Sequence, residues 1–323
     1  MIVNLGATVA LTAMLGAAPA QPAPGPLPGT SARIVTKMAG RPIQFTSYAT
    51  PDTSPPFRQR AWDPAKRAFV KTDATAVAVS PDGRWAASQA EGRGGGVPKV
   101  TLLDRKTGDR TVVELPSPAD PEQANGYLNT IWPTWSPDGR TLLFNVFEAG
   151  FEPRSEGIVL VDVPAMKARF VRIENALITV GGFQWTRDSK GVVVRWGKNG
   201  ESSIRQYDLT GAVKRTWHVR GRPASQGQGT FSPSGRRFVT ACMSLEKSAC
   251  VWDTATGKAV TRIKLGFSPV WSPVLGWYDE RHLLAPVPQG IGIVDLKGKV
   301  VETLVKVPKK QGLYARFEAR GNG

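Results

Sequence analysis

Short runs of alternating apolar and polar residues, broken by Pro, Asp and Gly, fill the chain from about residue 42 onward. A two-residue period over such runs predicts strands, not helices. One unit recurs: a large apolar residue, a tight polar turn, then a β-rich run. It reads VAVSPDGRWAAS from Val77, PTWSPDGRTLLF from Pro133, FQWTRDSKGVVV from Phe183 and GTFSPSGRRFVT from Gly229, with a shortened LGWYDERHLLA from Leu275. The apolar residue before each turn is Val79, Trp135, Trp185, Phe231 and Trp277, at spacings of 56, 50, 46 and 46 residues. In the turn, Pro presets φ, Asp82, Asp138 or Asp188 bonds to local backbone N–H groups, and Gly83, Gly139 or Gly235 supplies a positive φ. Ser189 stands in the Gly place of its copy.

A second element follows each turn. It reads LLDRKTGDRTVVEL from Leu102, LVDVPAMKARFVRI from Leu160, QYDLTGAVKRTWHV from Gln206, VWDTATGKAVTRIKL from Val251 and IVDLKGKVVETLVKV from Ile293. An apolar residue, Asp, a few turn residues and an alternating run make a hairpin. Gly108, Gly211, Gly257 and Gly298 fill its left-handed position, and Pro164 is expected to replace that chemistry in the copy lacking Gly. Each unit therefore has four antiparallel strands, A to D, and units of this length repeated around an axis make a β-propeller. Five lie at about residues 76–116, 131–174, 180–220, 228–266 and 273–308. Residues 41–75 contain strands B, C and D of a sixth but no strand A. The missing strand is expected from residues 312–321, with Phe317 in the aromatic column. The expected fold is an all-β, six-bladed propeller whose ring the C-terminal strand closes, leaving no open edge.

WSPDGR at Trp135 and VSPDGR at Val79, with the degenerate FSPSGR at Phe231 and WTRDSK at Trp185, resemble the blades of the TolB-type β-propeller family. A WD-repeat likeness is weaker, resting on Trp252-Asp253. The resemblance covers most of the chain after residue 40. It implies an extracytoplasmic propeller that binds other proteins, and no catalytic residue.

The N-terminus differs. Residues 1–32 carry no charged side chain, residues 2–18 are apolar, and Ala18-Pro19-Ala20 fits a signal-peptidase site. Residues 1–20 read as an export signal or membrane anchor, residues 21–40 as a Pro-rich extended spacer, and residues 41–323 as the propeller. Cys242 and Cys250 flank a short hairpin, directly opposite each other if it is symmetric, and an exported chain would join them in a disulfide.

The net charge is +16 and the pI about 10.1. The connections from D to A and from B to C are long and different in every blade. They carry nine acidic and six basic side chains, so the remainder carries +19. That excess, including Arg105, Lys106, Arg140, Lys167, Arg236 and Lys297, falls on the face of short turns and on outer strands. Loops on a rigid scaffold concentrate binding residues. The candidates on the long-loop face are Arg93, Asp120, Glu122, Tyr127, Glu148, Phe151, Arg154, Arg220 and Arg222. The partner expected is a protein or an anionic cell-envelope component, bound by a monomer with an N-terminal tether and without specific nucleic-acid recognition.

No HExxH, GxSxG or P-loop string occurs, and His218 and His282 read as packing or surface residues. No catalytic residue, metal or cofactor is assigned. Two alternatives stand beside protein binding. One is a metal-dependent propeller hydrolase or lyase using acidic loop residues. The other is carbohydrate binding through Tyr127, Phe151 and Trp271.

Overall fold

A computed structural model describes residues 20–50, 59–90, 97–116, 128–148, 155–178, 182–198, 201–242, 248–265, 274–308 and 312–321. The apolar segment 2–18 lies outside them. Among the described residues there is no helix; six antiparallel sheets form a ring.

Blade 1 joins Tyr314–Ala319 from the C-terminus to Ile43–Ala49, Gln59–Asp63 and Ala68–Lys71, as the sequence predicts. Blade 2 runs Ala74–Val79, Trp85–Ala90, Lys99–Asp104 and Arg110–Glu114. Blade 3 runs Leu128–Trp135, Thr141–Glu148, Ser155–Asp162 and Lys167–Arg172. Blade 4 runs Gln184–Trp185, Gly191–Lys198, Glu201–Asp208 and Val213–Trp217. Blade 5 has Arg222–Pro223, Arg237–Ala241, Ser248–Asp253 and Ala259–Lys264. Blade 6 has Gly276–Trp277, His282–Val287, Gly290–Asp295 and Val300–Lys306.

Apolar clusters pack between neighbouring blades. Leu142, Phe144 and Val161 join blade 3 to Leu102 and Val113 of blade 2; Phe183, Val192 and Tyr207 join blade 4 to Leu143 and Ile158 of blade 3. Trp217 meets Phe238 between blades 4 and 5, and Trp277 meets Val239 and Val251 between blades 5 and 6. Phe317 stacks on Phe45 at 4.8 Å within blade 1, in a cluster that also holds Leu284 and Leu304 of blade 6.

The seam between blades 1 and 2 is notably polar. Gln44 Nε2 donates to Ser80 O at 2.9 Å, and Gly321 N donates to Pro81 O at 2.8 Å. Arg105 donates to Gly83 O and Trp62 O. Arg105, expected on the solvated basic surface, is therefore wedged into this seam, where burial pushes its pKa down.

The segment read as a spacer, 21–40, packs as a strap. Gly25–Pro26 pairs with Arg33–Ile34, which pairs with Val300–Lys306 and widens the blade 6 sheet to six strands. Leu27, Ala32, Ile34 and Met38 are buried in the cluster of blades 6 and 1. Tyr48 Oη donates to Pro28 O at 2.8 Å, so one short segment grips both blades.

Candidate functional site

The two faces of the ring are built differently. On one, the A–B turns repeat one hydrogen-bond design. Gly83 N, Gly139 N, Ser189 N and Gly235 N donate to the carbonyls of Ser80, Ser136, Thr186 and Ser232. Asp82, Asp138 and Asp188 accept the hydroxyls of Ser80, Ser136 and Thr186 and the N–H groups of Arg84, Arg140 and Lys190. Their left-handed positions are Gly83 (φ 74°), Gly139 (φ 69°), Ser189 (φ 58°) and Gly235 (φ 72°).

The C–D turns follow a second design. Asp104, Asp162, Asp208, Asp253 and Asp295 accept backbone N–H groups two to four residues on. Gly108 (φ 87°) and Gly257 (φ 71°) take the left-handed position as expected. In the copy without Gly, the sequence reading assigns that role to Pro164. The structure gives it to Met166 (φ 52°), because proline's ring confines φ to negative values. Asp104 also receives Arg84 at 2.7 Å, and that hydrogen-bonded guanidinium holds its carboxyl below the usual range.

The A strands line the axis, and here the structure departs from the sequence pattern. In blade 5, Arg222–Pro223 and the isolated Phe231–Phe238 bridge pair with strand B, but residues 225–229 leave the sheet. Ser225 N and Gln226 N donate to Leu275 O, Gly227 N donates to Phe317 O, and Gln228 N donates to Trp277 O. Gln228 Nε2 reaches Pro42 O, and Arg187 Nη1 of blade 4 donates to Gln228 Oε1 at 3.3 Å. The segment thus spans the axis as a plug tied to blades 4, 6 and 1. Two glycines allow it: a Cβ on Gly276 would lie 1.8 Å from Gln226 O, and one on Gly227 2.6 Å from Trp277 O.

Around the plug the apolar column does more than pack. Trp185 Nε1 donates to Thr134 O and Trp277 Nε1 to Thr230 O, each at 3.0 Å and each across to the preceding blade. Arg316 Nε donates to Glu318 Oε1 at 2.8 Å, and Val79 N donates to Glu318 Oε2 at 2.7 Å. Burial pushes the Glu318 carboxyl up, against the opposing pull of Arg316. A cavity of about 70 Å³ remains at the turn-face end of the axis, walled by Val79, Pro81, Trp135, Pro137, Arg187 and the plug.

The D–A and B–C connections emerge on the other face. Of the residues expected to bind there, Arg93, Asp120, Glu122, Tyr127, Phe151 and Arg154 lie outside the described residues, as does Trp271. Glu148 ends strand B of blade 3, where only its backbone is described. Arg220 and Arg222 are described, both on the connection into blade 5. Arg220 is exposed; Arg222 is half-buried, with its pKa pushed down by burial and no hydrogen-bond acceptor among the described residues.

Cys242 and Cys250 form a disulfide with Cα atoms 5.5 Å apart. They are not directly opposite: Ala241 pairs with Ala249, and Cys242 N donates to Ser248 O, so the bridge runs diagonally. His282 Nδ1 lies 2.9 Å from the Asp279 carboxylate and serves the shortened turn of blade 6. Among the described residues no group of three or more His, Cys, Asp or Glu is placed to hold a metal.

No protein-family model matches the chain, and no curated protein matches it. Solved structures do. TolB from Acinetobacter baumannii is similar at 21% identity and a TM-score of 0.54, over 90% of this chain and 68% of that one. A chain of a nidogen/laminin complex is similar at 11% identity and a TM-score of 0.50, over 86% of this chain and 98% of that one. A functionally unknown protein from Desulfotomaculum acetoxidans is similar at 11% identity and a TM-score of 0.50, over 91% and 90%. These likenesses establish the propeller fold.

Proposed function

We propose that this chain is a non-catalytic, extracytoplasmic propeller that binds a protein partner of the cell envelope through its long-loop face. The observation that carries this reading is the division of labour between the faces. Among the described residues the A–B turns of blades 2 to 6 and the C–D turns are short and hydrogen-bonded to themselves, whereas the long connections leave from the opposite ends of the strands. Half-buried Arg222, with no acceptor among the described residues, is a cation on this connection that an acidic partner residue could pair.

Chemistry supports the extracytoplasmic part of this reading. A disulfide such as Cys242–Cys250 persists in oxidising surroundings, which supports an extracytoplasmic setting. The test is affinity capture from envelope extract, with intact protein beside a variant carrying Arg220→Ala, Arg222→Ala and Tyr127→Ala. The reading expects one envelope protein retained by the first and lost by the second, with both variants equally folded. Equal retention by both would overturn the assignment of the face.

A further inference from the structure

We propose that Gln21 becomes the first residue of the exported protein and closes to a pyroglutamate lactam. The proposal rests on the extracytoplasmic reading above and adds a modification site to it. Two boundaries coincide at the Ala20–Gln21 bond. In the sequence, Ala18-Pro19-Ala20 fits a signal-peptidase site ending at Ala20. In the structure, Ala20 is exposed, whereas Gln21 is half-buried, Pro22 is buried, and the strap begins. Trp62 Nε1 donates to Ala20 O at 2.6 Å, and that carbonyl belongs to the bond to be cut.

The new terminus lies in a groove between the strap and the outer hairpin of blade 1. A cavity of about 250 Å³ there is walled by Gln21, Pro22, Pro26, Trp62, Arg67 and Phe69. A free α-ammonium would sit half-buried among proline and aromatic carbon, in the same groove as the Arg67 guanidinium. Burial and a like charge both disfavour its protonated form. The neutral amine is the nucleophile that closes the ring. Its nitrogen bonds to Cδ of its own side chain, the Cδ–Nε2 bond breaks, and ammonia leaves with one amine proton. Nothing is oxidised or reduced, and no co-reactant is needed. Pro22, lacking an N–H, cannot compete for the same carbon.

The lactam fits the groove better than its open precursor. It is uncharged, so neither the desolvation of an ammonium nor its repulsion by Arg67 remains. Its oxygen is the former Oε1, which is buried without a hydrogen-bond donor. Cleavage removes Ala20 O and leaves the Trp62 indole N–H in need of an acceptor. Gln21 and Trp62 line the same cavity, so the lactam oxygen can replace the lost carbonyl. A lactam also offers aminopeptidases no amine. The strap is thereby protected from its end, and with it Leu27, Ile34 and Met38, which join blades 6 and 1.

The test expresses the full chain with its own leader and recovers it from the extracytoplasmic fraction. The folded protein is incubated at neutral pH, and its N-terminus is read by intact mass and peptide mapping. The proposal expects a chain that begins at residue 21 and is lighter than the open form by one ammonia. Gln21→Asn, one carbon too short to close a five-membered lactam, should begin at the same residue with its full open mass. Aminopeptidase P, which removes a residue preceding proline, should release the first residue of that variant and nothing from the native protein. A chain that retains residues 1–20 overturns the export reading and the proposal together. A chain that begins at Gln21 with amine and amide intact leaves export standing and overturns the proposal. So does a chain that begins at any other residue, or a Gln21→Asn protein that loses ammonia equally.

Discussion

Ser189 shows how a single residue trades one local preference for a longer-range contact. It occupies a left-handed turn position held by glycine in three other blades, at a cost that glycine would avoid. Its hydroxyl accepts the N–H of Asp138 in the neighbouring blade at 3.1 Å, which glycine could not do. Ser189→Ala keeps the backbone strain and loses the bond, so about 0.5–1.5 kcal/mol of stability should go. Ser189→Gly loses the same bond but relieves the strain, so it should be less harmful by about 0.5–1 kcal/mol. Denaturant midpoints of the two variants would show that order; a glycine variant weaker than the alanine one would refute it. The Asp and Gly roles were legible in the sequence because they satisfy groups within the turn itself. The hydroxyl bridge was not, since it depends on which turn lies next door.

Among elements, the strap and the blade 5 hairpin carry testable consequences. Arg41 holds the strap to blade 6 through Glu302 at 2.7 Å, with Thr36 donating to the same carboxylate. The hydrogen-bonded Arg41 keeps the Glu302 carboxyl below the usual range. A carboxyl whose folded pKa lies below its unfolded value stabilises fully above the unfolded value, and loses that contribution as pH falls through the folded one. Protease cleavage between residues 28 and 33 should therefore rise in acid. Glu302→Gln should be cleaved readily at neutral pH and show a flatter acid response.

The diagonal disulfide closes a short loop, and replacing both cysteines by serine should cost about 2–3 kcal/mol in the chain-entropy model. Thermal unfolding of the oxidised and variant proteins would measure it, and equal midpoints would contradict it. The cysteine pair could be read from its spacing, but the register could not: a slip within the hairpin shifts the opposing partner without disturbing the pattern of side chains. The strap was misread because two-residue strands lack periodicity and its proline content suggests an extended linker.

At the scale of the whole molecule, ring closure is the feature on which the rest depends. Strand A of blade 1 comes from the far end of the chain and buries Phe317 and Ala315 against the N-terminal sheet. It also supplies Glu318 to blade 2 and a carbonyl to the plug. Deleting residues 312–323 exposes the edge of Ile43–Ala49, removes an aromatic stack and frees the plug. Such a protein should lose its cooperative thermal transition or aggregate, and unchanged melting would contradict the closure.

The chain on its own determined the number of blades, the turn chemistry, the aromatic column and the joining of its two ends. Each is a local signal repeated at regular intervals, and repetition makes a weak local preference unambiguous. Only the tertiary structure decided that the axis is plugged, that the strap is part of the ring, that Arg105 lies in a seam and that Trp135 and Arg187 wall one cavity. Those outcomes rest on contacts between residues tens to hundreds of positions apart, which depend on how blades pack against one another rather than on any pattern within a blade.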